Sequence, residues 1–303
     1  MTESEPSWDF YRTFLAVLQQ GSLSAAARDL GLTQPTIGRH IDALEAAVGA
    51  ELFTRSQQGL LPTDTALVLK PYAETLASTT AALLRAASSS RDKVTGTVRI
   101  SASEVIGTEV LPSILAELQA GYPDLVIELS ASDAVEDLLQ READIAVRMV
   151  EPAHEALLSR HIGIIPLGFF AHRKYLERYG MPESIEDLQR HKLIGFDRQT
   201  AYIRMMRKRY PIFDGITLAF RSDHTIAQHN ALRAGLGISF LHIPLARRAP
   251  DLVRLLPEIE LPLDTWVVMH ENLKTSPRCR VTFDALVSGL LDYVKGGTDG
   301  RRS

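Results

Sequence analysis

Leu23, Ala26, Ala27 and Leu30 recur at helical spacing, so the segment that holds them has one apolar face. Gly31 ends that helix, because its backbone tolerates the positive φ of a C-terminal cap. Thr33 suits the N-cap of a following helix, and Pro35 fits its first turn, where a missing N–H costs nothing. Ile37, Ile41, Leu44 and Val48 then fall on one buried side. The opposite side offers Gln34, Thr36, Gly38, Arg39 and His40. Residues 21–45 therefore read as two short helices joined by a tight turn. Upstream, Trp8, Phe10, Tyr11, Phe14, Leu15 and Leu18 predict a helix over 8–20 with a core-facing side. Downstream, the runs 51–55 and 60–63 flank Ser56-Gln57-Gln58-Gly59 and predict a β-hairpin.

Thr63 can cap a long helix over 64–90. In it Leu69, Leu76 and Leu83 are seven apart, with Tyr72 and Leu84 beside them, which is the pattern of a helix lying along a partner helix. Pro71 should kink it or limit its first turn. A polar linker follows at 88–96. From Thr97 the pattern changes to short apolar strands alternating with helices. Strands are expected at 98–101, 125–129, 144–148, 164–171, 192–196, 216–221, 238–241 and 265–270. Helices are expected at 104–120, 133–141, 225–234 and 276–294, with Ser184 capping a short one. Such alternation indicates a parallel, doubly wound sheet, laid down here in two successive units. The Gly- and charge-rich end, Lys295–Ser303, reads as a disordered tail.

Length and composition narrow the classes. A chain of 303 residues holds two or three domains, and 45% hydrophobic residues suffice for their cores. No apolar run reaches the roughly 18 residues of a membrane span. The N-terminus, MTESEPSWDF, lacks the basic and apolar regions of a signal peptide, which points to the cytoplasm. The single cysteine, Cys279, forms no internal disulfide and excludes a cysteine-based metal cluster. His154 and His161 lack a third metal ligand, and no metal or other cofactor is expected. Gly-x-Gly-x-x-Gly, P-loop, Gly-x-Ser-x-Gly and His-Glu-x-x-His motifs are all missing, so no catalytic residue is assigned. The net charge of −4 argues against a general nucleic-acid coat. Residues 1–65 carry four arginines against eight acids. A DNA reader of that charge must place its few cations well and use helix N-termini on phosphates.

The order of residues resembles the LysR-type transcriptional regulators. The matching pieces are Phe14, Gly21-Ser22-Leu23-Ser24-Ala25-Ala26-Ala27, Leu30, Thr33-Gln34-Pro35-Thr36-Ile37, Arg39, Ile41, Leu44-Glu45, Gly49, Leu52-Phe53 with Arg55, and Pro62-Thr63. Further on, Gly96-Thr97-Val98-Arg99-Ile100 is similar to the opening of that family's effector domain. So are Ala143–Arg148, Tyr175-Leu176, Gly180-Met181-Pro182, Leu188, His191, Ala234–Ile238 and Ser276–Arg280 to later parts of it. Two departures stand out. Position 38, usually Ser in the family, is Gly here, and Thr63–Leu67 lacks a Gly often found there.

The resemblance implies a multidomain α/β protein. A winged helix-turn-helix occupies 1–63, and a linker helix pairing two subunits occupies 64–92. A two-lobed effector domain like periplasmic solute-binding proteins occupies 93–295, and a tail 296–303. Lobe 1 takes about 93–163 and 267–295, and lobe 2 about 164–266. It also implies a homodimer, assembled as a tetramer, on double-stranded promoter DNA, controlled by a small-molecule effector and without a membrane partner. Gln34, Thr36 and Arg39 are the base-contact candidates, since Gln pairs with adenine, Arg with guanine, and a Thr methyl meets a thymine methyl. Pro35 shares their turn; His40 and Arg55 are backbone candidates; Ser22 and Ser24 contact DNA or only cap helices. The effector candidates sit at strand ends: Ser101, Ala102, Ser103, Ser130, Ser132 and Arg148, with Phe196 and Thr225 in the second lobe. Serine hydroxyls, helix N–H groups and one arginine suit a small carboxylate. A competing reading is an enzyme or small-molecule-binding protein built on the lobes, with the N-terminal domain as an interaction module.

Overall fold

Three helices open the chain, α1 (Trp8–Gln20), α2 (Leu23–Leu30) and α3 (Gln34–Val48). They are seen in a computed structural model that describes residues 6–56, 59–87, 94–133, 143–152, 157–198, 204, 208 and 218–298. Each helix starts on a side-chain cap: Ser7, Ser22 and Thr33 accept from the backbone N–H of Asp9, Ala25 and Thr36. Gly31 ends α2 at φ 66°, in the left-handed region where a side chain is strained. Phe14, Val17, Ala26, Ile37, Leu44 and Leu52 are buried together between the helices. Each Phe, Ile or Leu so buried contributes about 1.5–3 kcal/mol by leaving water. Val48 departs from the expectation. The last turn of α3 outruns the core, and Val48 is left 39% exposed.

The expected hairpin is β1 (Phe53–Ser56) paired antiparallel with β2 (Gly59–Pro62). Gln57 lies outside the described residues. Thr63 then caps α4 (Asp64–Ala87), accepting from the N–H of Ala66 and donating to the carbonyl of Glu51. The helix continues through Pro71. Of the expected seam, Tyr72, Leu76, Leu83 and Leu84 are exposed, and Leu69 departs from it. Leu69 turns with Ala66 and Ala73 into the core of this unit. The unburied stripe is Val68, Tyr72, Leu76 and Leu83, so Val68 stands where Leu69 was expected.

The second unit, from residue 94 onward, holds one mixed sheet of nine strands among the described residues. Its strands are β3 (Gly96–Ala102), β4 (Leu125–Ala131), β5 (Ile145–Arg148), β6 (Leu157–His172), β7 (Leu193–Gly195), β8 (Leu218–Arg221), β9 (Ile238–His242), β10 (Leu252–Leu255) and β11 (Leu261–His270). The order is β4-β3-β5-β11-β6-β9-β7-β8, with β10 on β6. Two parallel groups, β3 with β4 and β5, and β7 with β8 and β9, match the expected alternation. They are joined by two long antiparallel strands, β6 and β11; the strands expected at 164–171 and 265–270 lie within them, but neither their full length nor their antiparallel sense was expected. Their register slips between Thr265 and Trp266, opposite Gly163 and His161.

Before α5 (Leu111–Gly121) the chain makes a π-turn over Ile106–Val110. Pro112 explains it: without an N–H it cannot continue the ladder, and Leu111 N–H reaches back to Ile106 instead. Gly107 packs so closely that an added Cβ would lie 2.8 Å from that of Ala131. In lobe 2 follow α6 (Arg173–Tyr179), α7 (Thr225–Arg233) and the short α8 (Ile243–Ala246). The closing helix, α9 (Pro277–Thr298), buries Cys279, Phe283, Leu286 and Leu290 in the lobe 1 core. Where a disordered tail was expected, the helix runs on through 296–298, and Arg247 donates to the carbonyl of Gly296 near its end. The expected helix over 133–141 falls almost wholly outside the described residues.

Candidate functional site

Two places gather the expected residues. In the N-terminal unit, the start of α3 is exposed at Gln34 and Pro35 and half-buried at Thr36. Ser24 donates to Gln34 Oε1 at 2.9 Å, which fixes the amide and leaves its NH2 directed elsewhere. Thr36 shares a hydroxyl–hydroxyl bond of 2.8 Å with Thr33 and so keeps its methyl available. Arg39 and Arg55 are exposed, and neither side chain makes an ion pair or hydrogen bond among the described residues. Ser22 is engaged as the cap of α2. His40 points the other way: its Nδ1 lies 2.9 Å from Thr13 Oγ1, and its ring packs 5.0 Å from that of Phe10. It fastens α3 to α1. Glu45 was missed. Its Oε1 accepts from the N–H groups of Leu52 and Phe53, at 2.6 and 3.3 Å, and so ties the hairpin to the same helix. An acid near a helix end is too common a pattern to reveal that role.

The second place is the cleft between the lobes. Ser101 is buried at the end of β3 and accepts from Arg148 Nη2 at 3.0 Å. Arg148, at the end of β5, also donates to the carbonyl of Val147. Ala102 turns its methyl into the lobe 1 core, so only its backbone reaches the cleft side, where its carbonyl accepts from the N–H of Ser132. Ser103, Ser130, Ser132, Phe196 and Thr225 are half-buried.

Two acids absent from the expectation bridge the lobes. Glu104 accepts from the Thr225 N–H at 2.8 Å and lies 3.0 Å from His224 Nδ1. Asp133 accepts from the Thr225 hydroxyl at 2.8 Å and from the N–H of Glu104 at 3.0 Å. The N-terminus of α7 is thus occupied by a carboxylate of the chain itself, which satisfies the helix dipole. Behind it, Glu109 pairs with Arg233 at 2.6 Å and its carbonyl accepts from Arg248. His242 Nδ1 meets the Tyr293 hydroxyl at 3.0 Å in the buried zone. Burial holds His242 down to a pKa of about 3, with a smaller push from His229. Burial, then the Arg233 charge, holds His229 to about 4, against Glu109. Burial also raises the Tyr293 phenol.

Comparison with known proteins supplies the family. Residues 8–67 match the model described as "Bacterial regulatory helix-turn-helix protein, lysR family", and residues 91–290 match "LysR substrate binding domain". A probable HTH-type transcriptional regulator, LtrA of Klebsiella pneumoniae, is 25% identical over 94% of this chain and 96% of its own length. The regulator DmlR of Escherichia coli is 23% identical, covering 91% of this chain and 92% of that protein. In fold, the chain is similar to CrgA, a LysR-type transcriptional regulator from Neisseria meningitidis, with a TM-score of 0.57 at 22% identity. That likeness covers 96% of this chain and 99% of CrgA. For CbnR, also a LysR family regulator, the TM-score is 0.64 at 20% identity, covering 95% and 99% of the two chains. The two family models take in the hairpin-bearing helical domain and both lobes, so the chain belongs to the LysR-type transcriptional regulators, with a helix-turn-helix domain ahead of a substrate-binding domain.

Proposed function

We propose that this regulator reads promoter DNA with the first two turns of α3, as a dimer joined along α4 and paired again into a tetramer. The observation that carries the reading is the exposed row at the start of α3, where Ser24 pre-sets Gln34 while Arg39 stays unengaged among the described residues. Pre-set side chains lose less freedom on binding. Gln34 and Arg39 then meet base edges, Thr36 meets a thymine methyl, and Arg55 on the hairpin lies along a phosphate. His40 positions α3 from behind. A domain with twice as many acids as arginines binds weakly alone, so two half-sites are needed for useful affinity. Arg39→Ala is expected to weaken binding to a selected duplex about tenfold and to relax the preference at one position per half-site. Repeating the selection with the variant checks this; an unchanged consensus refutes base reading by Arg39.

The effector, on this reading, is a small carboxylate-bearing molecule held in the cleft, with Arg148 as its counter-charge and Ser101, Ser103 and Ser132 around it. Thr225 serves lobe closure, since Glu104 and Asp133 already take its donors. Binding favours one arrangement of the lobes, and hence of the subunits, over another. Titration calorimetry against a panel of small mono- and dicarboxylates tests it. Arg148→Ala should weaken the responding ligand about tenfold or more, as loss of a charged hydrogen bond does. Equal binding to the variant, or no carboxylate bound by the wild type, rejects the reading.

A further inference from the structure

α3 carries a glycine, Gly38, in its second turn. An interior glycine costs a helix stability relative to alanine, because it has more backbone freedom to lose. The other glycines described in this unit have reasons inside the chain. Gly21, Gly31 and Gly49 end helices at φ between 66 and 73°. Gly59 has φ 118°, and a Cβ there would lie 2.7 Å from the Gly21 carbonyl oxygen. Gly38 has neither reason. It is not among the positive-φ glycines, and an added Cβ would meet no neighbouring heavy atom within 4 Å. Alanine would fit and would strengthen the helix. The position follows Gln34 by one turn and precedes Arg39, so the missing side chain leaves a notch in the row that reads DNA.

We propose that Gly38 is a positioning residue for DNA recognition: its bare backbone lets α3 approach the duplex more closely than any side chain would allow. The inference rests on the reading that α3 enters the DNA groove. Close approach would bring Gln34 and Arg39 within reach of base edges, which short contacts require. A Cβ would act as a spacer, and a longer side chain as a larger one.

The test uses the full chain and a duplex enriched from a randomised pool by the wild-type protein. Gly38→Ala, Gly38→Gln and Arg39→Ala are compared for dissociation constant and thermal midpoint. The expected result is binding about threefold weaker for Ala and about thirtyfold weaker for Gln, at an unchanged or higher midpoint. If both Gly38 variants bind as the wild type while Arg39→Ala weakens binding, the role of Gly38 is refuted and α3 remains the reader. If binding falls only together with the thermal midpoint, the glycine serves folding and the proposal is refuted. If no duplex is enriched, or all three variants bind as the wild type, the reading of α3 fails and takes this inference with it.

Discussion

Glutamate at both Tyr72 and Leu76 is expected to turn the protein into monomers and to weaken binding to a two-half-site DNA by about a hundredfold or more. In the single chain Tyr72 is 68% exposed and Leu76 43% exposed on α4, and with Val68 and Leu83 they form one stripe. Large apolar groups aligned over several turns of a helix await a partner face. The helix core does not need them, because Leu69, Ala66 and Ala73 face inward and hold α4 to its own unit. Glutamate is a good helix former, so the substitution should leave the subunit folded. Paired across a two-fold axis, however, it would place like charges in an apolar seam. Sedimentation equilibrium gives the mass, and titration on one and two half-sites gives the affinities. A variant that stays dimeric and binds as tightly as the wild type would show that the seam lies elsewhere.

A second large effect concerns acid. His229 and His242 are folded into the second unit as neutral rings, with pKa values near 4 and 3, whereas an unfolded histidine titrates near 6.5. As pH falls through about 6.5, the unfolded chain takes up protons that the folded chain refuses. Stability is therefore full above that value and is lost progressively downward, until the folded groups also titrate. Each unit of separation corresponds to about 1.4 kcal/mol, so the two groups together remove on the order of several kcal/mol. Urea midpoints measured from about pH 7.5 to about pH 5 should fall steadily, and His242→Gln should flatten the slope. Equal midpoints across that range would mean that both rings are accessible to protons in the folded protein.

Legibility in the sequence followed the range of the interactions. Local signals were clear: the period of Leu23, Ala26, Ala27 and Leu30, the Thr33 cap, Gly31 and Pro35 fixed the helical pair, because each acts within a few residues. Within the α4 seam only Leu69 escaped the sequence, because it satisfies the heptad spacing and its own core equally well; only the packing decides between them. Likewise, the face of α3 that seemed polar included His40, and the partner that draws it inward, Thr13, lies 27 positions earlier. At the strand ends, the serines are effector candidates by rule, since ligands gather outside the carboxyl ends of parallel strands. Glu104 was not, although it follows Ser103 directly. Its partner Thr225 stands 121 residues away, and no local pattern carries that pairing. The long β6 was read short because its first residues, Leu157–His161, mix polar and apolar groups on an exposed stretch.

Sequence-specific reading of DNA by a paired α3 is the central expectation. Selection of genomic fragments by the purified full-length protein, at two salt concentrations, tests it most directly. The expected result is a small set of fragments sharing an interrupted palindrome, retained at the higher salt, with half-sites spaced as a two-fold dimer requires. Fragments without a shared sequence, and binding that falls steeply with salt, would contradict it, because that is the signature of phosphate contact alone.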